Sequence, residues 1–158
     1  MGRIGLVIRE GLLFGIIGGV FALLVRLVSV YATHDLTPTM YSNFVTSALG
    51  FLIIGGAGRK LAASTKSTNP ALQMGAIAAG ISELFHTVLA ALILSYLPIG
   101  QAAFDRLSPA AKRLAEDTAS QLVNLGLDLA IVIVFGAMIG WLGAWTLLTF
   151  RPPREPQD

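Results

Sequence analysis

Four long apolar stretches, residues 11–31, 39–58, 71–97 and 121–150, take up most of this 158-residue chain and limit what it can fold into. About 20 apolar residues in a helix cross a hydrocarbon core of ~30 Å, and each stretch is close to or above that length. With their flanks, the predicted spans are about 5–31, 39–60, 71–97 and 120–150, followed by a tail at 151–158. The expected fold is therefore an all-α integral membrane protein: one four-transmembrane-helix bundle over residues 1–150, with an outer loop at 98–119. Only 13% of the residues are charged and the mean hydropathy is +0.73. A water-soluble domain carries about 25% charge, so composition points the same way.

Other classes are excluded on simple grounds. A net charge of +2 without an aromatic–basic patch gives no footing for nucleic acid. The absence of cysteine rules out a disulfide framework, a thiolate metal site and thioether-linked haem. No nucleophile elbow, zinc motif, P-loop or dinucleotide fingerprint is present. The soluble parts are too short for a catalytic domain, so no enzyme is expected.

Three of the stretches carry small residues at every fourth position. Gly11, Gly15 and Gly19 form one ridge, Ala71, Gly75 and Ala79 a second, and Gly136, Gly140 and Ala144 a third. Small residues four apart let helix backbones approach closely, which is how helices associate where lipid removes the hydrophobic drive.

Charge asymmetry predicts the topology. Seven of the eleven basic residues (Arg3, Arg9, Arg59, Lys60, Lys66, Arg151 and Arg154) fall on the side shared by the termini and the middle loop. The positive-inside rule then places both termini in the cytoplasm, in the plasma (inner) membrane. Tyr31, Tyr41 and Tyr96 gather at the outer ends, and Trp141 and Trp145 near the inner end of the last span, as interfacial belts require. Val30-Tyr31-Ala32 loosely resembles a signal cleavage site, but Arg26 interrupts its approach, so the first span is expected to be retained. The second span is the weakest, with fifteen uncharged residues between Asn43 and Arg59.

In the outer loop, Ser108-Pro109 is a helix start, with the hydroxyl as cap and proline in the first turn. Lys112–Glu116 and Arg113–Asp117 have i,i+4 spacing. Phe104, Leu107, Ala111, Leu114, Thr118 and Leu122 trace an apolar stripe, so a short interfacial helix is expected to lead into span four.

Ionisable residues inside spans cost a few kcal/mol each and normally face protein or water. Glu10 sits beside Arg9 near the inner surface and reads as an ion pair. Arg26, Asp128, His86 and Glu83 lie about 5, 7, 11 and 14 residues in from the outer ends of their spans, a band of roughly 14 Å. Arg26 falls on the arc of the first glycine ridge, and Glu83 and His86 continue the second. Asp128 stands about 120° from the third ridge, so it is expected to face another neighbour or the lipid edge.

Three readings of these residues stay open. In the structural one, Arg26 pairs with Asp128 or Glu83 while His86 bonds a carbonyl or Ser82. In the second, the cluster relays protons or ions, since histidine titrates near neutrality with a carboxylate one turn away. In the third, His86 is the axial ligand of a haem or chlorophyll-type pigment, there being room for a flat ring between Ser82 and Ala90. Glu83-x-x-His86 alone is half of what a di-iron bundle needs, so no metal is expected. The expected role is an accessory, assembly or scaffold subunit of a larger membrane complex. The partners would be membrane lipids and other membrane-protein subunits, or further copies of the chain. A small oligomeric proton- or ion-coupled transporter or channel is the alternative, and a pigment- or haem-binding subunit the third reading.

Overall fold

The computed structural model describes residues 2–36 and 39–150; the predicted tail, with Arg151 and Arg154, lies outside the described residues. These residues are all-helical, and four helices are long and apolar enough to span a membrane. They are α1 (Arg3–Thr33), α2 (Met40–Thr65), α3 (Asn69–Tyr96) and α6 (Thr118–Phe150). Even the 26 residues of α2 reach about 39 Å at a helical rise of 1.5 Å. Two short helices, α4 (Pro98–Asp105) and α5 (Pro109–Glu116), fill the connection between α3 and α6.

Local chemistry sets the boundaries. α1 and α2 end on residues in the left-handed region, His34 (φ 54°) and Lys66 (φ 51°), whose N–H groups bond back to Val30 and Ala62 carbonyls. Such a residue turns the chain out of the helix while satisfying a terminal carbonyl. Thr39 caps α2 by accepting from Ser42 N at 3.1 Å, and Ser108 caps α5 by accepting from Ala111 N at 3.2 Å.

The connection has the expected short helix beginning at Ser108-Pro109, and another before it. An additional helix, α4, turns sharply away from the end of α3, with Leu97 terminating one and opening the other. Gly100 makes that corner possible, because a Cβ there would land on the Leu94 carbonyl oxygen. The Phe104–Leu122 stripe is broken again at Asp117, which has extended backbone (ψ 99°) and caps α6. Its carboxylate accepts from Ala119 N at 3.2 Å and from the Ser120 hydroxyl, and this hydrogen bonding holds it below the usual aspartate range. Lys112 pairs with Asp105, 3.9 Å away, and not with Glu116.

In the bundle α1 packs on α3, α3 on α6, and α6 on α2, with α2 also touching α1 and α3. α1 and α6 therefore lie across from each other. The core sits at one end: Val7, Ile54, Ala57, Leu61, Met74, Ala78 and Ala79 form the main cluster, and Ala62, Ala71 and Ala144 a second beside it. This closed end holds the start of α1 and the finish of α6. At the other end, α6 stands off: all of its buried residues (Gly136, Gly140, Ala144) lie in its second half, and none in Thr118–Phe135. Large apolar side chains cover the outside, with Leu127, Val134 and Phe135 of α6 each more than half exposed. So wide an apolar surface is unfavourable in water, whereas lipid tails are a good solvent for it.

Candidate functional site

Because α6 is pinned only at the closed end, a cavity of about 1340 Å³ opens between the helices at the other. Arg26, Glu83, His86 and Asp128 all line it, so residues from three separate spans meet at one place. Ser42, Asn43, Thr46 and Ser47 of α2 line it too, and Gln101 and Asp105 of α4 reach its mouth. Apolar wall comes from Ala22, Ala90, Ala91, Leu94, Ile131 and Val132.

The α2 residues were missed in the sequence, where only ionisable groups were weighed. Their signal was present: positions 42, 43, 46 and 47 repeat at helical spacing and give the weakest span one polar face.

The hydrogen bonds include the expected one from His86 to a carbonyl, that of Ser82, but differ from the pairings expected of Arg26. Arg26 donates to the Leu36 carbonyl oxygen, in the chain leaving α1, and among the described residues it makes no salt bridge to Glu83 or Asp128. The Asp35 carboxylate is close enough to act on it. Glu83 Oε1 accepts from the Thr87 hydroxyl at 3.0 Å. His86 Nδ1 lies 3.1 Å from the Ser82 carbonyl oxygen and 3.8 Å from Glu83 Oε2. A carbonyl can only accept, so the proton sits on Nδ1 and Nε2 remains for another partner. Asp128 is exposed and, among the described residues, has no hydrogen bond or ion pair. Its position 120° from the ridge becomes a cavity wall because α6 leans outward there.

Among the described residues no three His, Asp or Glu side chains are grouped to hold a metal ion. His34 ends α1 and does not line the cavity.

The glycines form the contacts beneath. A Cβ on Gly11, Gly15 or Gly19 would press into Ile77, Ile81 or Phe85 respectively, all on α3. Gly75 and Gly136 bring α3 and α6 into backbone contact, and Gly140 faces Ala71 on one side and Gly58 of α2 on the other. Gly143 meets Gly55 in the same way. α6 is thus wedged between two backbones immediately below the cavity, which leaves no gap at that level.

Toward the closed end, Glu10 is buried (5% exposed) and bridges two helices. It accepts from Arg9 at 2.7 Å and from Lys60 of α2 at 3.2 Å, while Lys60 also lies 5.7 Å over the Phe14 ring. No protein-family model, curated protein or solved structure matches the chain.

Proposed function

We propose that this chain is a non-enzymatic, multi-pass protein of the plasma (inner) membrane that admits a small solute to the cavity between its helices. It would act as an oligomeric proton- or ion-coupled transporter or channel. The observation that supports this is the cavity itself: charged and polar side chains from α1, α2, α3 and α6 converge on one space inside an otherwise apolar bundle. Polar groups at that depth cost free energy unless protein or water meets them, and a binding cavity gives them a use. With both termini cytoplasmic, the mouth opens outward and α5 lies at the outer interface. The backbone contacts of Gly58, Gly75, Gly136, Gly140 and Gly143 then form a barrier toward the cytoplasm.

The test is flux in proteoliposomes under an imposed pH gradient, read with an enclosed pH dye. Glu83→Gln and Asp128→Asn should abolish flux while the detergent-solubilised proteins elute like the wild type. Equal leak in wild type and the double variant would overturn the reading.

A second reading, the accessory or scaffold subunit, is favoured by the largely exposed first half of α6. There it would dock on other membrane proteins, and a fixed-ratio co-purification abolished by changes on that face would support it. A pigment or haem on Nε2 of His86 is the third, and predicts visible absorbance that His86→Ala removes.

A further inference from the structure

Among the described residues, two carboxylates lining the cavity have no arginine or lysine paired with them. Arg26 is engaged by the Leu36 carbonyl and faces Asp35, and Asp105 has Lys112 at 3.9 Å. Glu83 has only the Thr87 hydroxyl and the edge of His86, whose Nδ1 proton already serves Ser82. Asp128 has no partner among the described residues. From α2 the cavity receives only uncharged groups: Ser42, Asn43, Thr46 and Ser47. A carboxylate inside a bilayer is unfavourable by several kcal/mol until a proton or a positive charge compensates it.

Beside these polar groups the cavity has apolar wall, from Ala22, Ala90, Ala91, Leu94, Ile131 and Val132. A hydrated inorganic ion gains nothing from such walls. An anion would need a free arginine, and the one arginine lining the cavity is already occupied. We propose that the cavity binds a monovalent organic cation, its positive centre countered by Glu83 and Asp128 and its apolar body against α3 and α6. This assignment rests on the reading of the cavity as a solute site. The other ionisable groups lining the cavity are Arg26 from α1, His86 on α3 and Asp105 from α4.

The probe is tetraphenylphosphonium, titrated calorimetrically into the full chain in detergent and corrected for empty micelles. Tetraphenylborate, of the same shape and opposite charge, is the control. Ala91 is exposed on the cavity wall, so Ala91→Trp obstructs the space without crowding the core; Ala91→Phe serves if the indole is not accommodated. Phosphonium binding should weaken at least about tenfold with either obstruction, and about tenfold with Glu83→Gln or Asp128→Asn, each tenfold being about 1.4 kcal/mol. Borate binding as tight as phosphonium and blocked by Ala91→Trp would overturn the cation assignment and leave the solute site standing. Phosphonium binding blocked by Ala91→Trp but indifferent to both acid variants would overturn the role given to Glu83 and Asp128. Binding of neither ion that responds to the obstruction would overturn both the assignment and the solute site.

Discussion

Gly75 and Gly136 touch through their backbones: a Cβ on Gly75 would land on the Gly136 carbonyl oxygen, and one on Gly136 would meet the Gly75 carbonyl and Ala79. Neither backbone can retreat without moving a whole helix, since Gly140 locks the same pair one turn on against Ala71. The contact holds α6 at the closed end while its other half stands clear.

Gly75→Leu should therefore separate α3 from α6 and lower the thermal midpoint in detergent, at a cost of about 1–3 kcal/mol or more from overpacking. Gly126→Ala and Gly50→Ala, where nothing lies within 4 Å, should leave the midpoint unchanged or raise it slightly. Equal effects at all three sites would show that the seam is not a tight contact.

Removing Glu10 should cost more than removing either of its partners. The carboxylate is buried while Arg9 and Lys60 keep 57% and 65% of their side chains exposed, so Glu10→Ala removes both hydrogen bonds and the tie between α1 and α2. A loss of about 1–3 kcal/mol is expected from the two bonds, because the freed cations return to water. Arg9→Ala or Lys60→Ala leaves the carboxylate with one cation and should cost less. Denaturation midpoints of the three variants give the ranking.

Asp117 makes the start of α6 sensitive to acid. Its carboxyl is held below the ordinary value by the Ser120 hydroxyl and the backbone N–H groups it accepts from. A depressed carboxyl contributes its stability fully above the unfolded-state value and loses it as pH falls through the lower folded value. Protection factors for hydrogen exchange at Ala119 to Gln121 should thus fall below about pH 4. In Asp117→Asn the protection factors of the first turn should no longer respond to acid.

His86 donates to Ser82 within its own helix, so His86→Ala should lower stability by no more than about 1 kcal/mol. A far larger loss would reveal that its other nitrogen holds a partner that secures the bundle.

The four long helices were legible because a helix apolar enough to span a membrane announces itself by length and by scarcity of charge. The four ionisable residues were legible for the same reason: Arg26, Glu83, His86 and Asp128 stand out in an apolar background. What they bond to was not, because hydrogen-bond partners depend on where the connecting chain runs. Arg26 meets Leu36 only because the chain leaving α1 folds back over it. The polar face of α2 escaped because hydroxyls and an amide barely alter a hydropathy profile. The lean of α6 escaped for a different reason. Gly126 and Ala130 are four apart like Gly136, Gly140 and Ala144, yet they lie exposed where α6 stands clear, so spacing alone did not tell which part of the helix is held, and only the folded chain shows the space that results.

A 33-residue helix gripped near one end behaves as a lever. Gly140 is its fulcrum, and Gln121 lies about 28 Å along the free arm. A rotation of about 10° at the glycines, small enough to keep side-chain packing nearby, would carry that arm through about 5 Å. The width of the mouth is therefore set by a crossing angle far from it, at residues that have no side chains to rearrange.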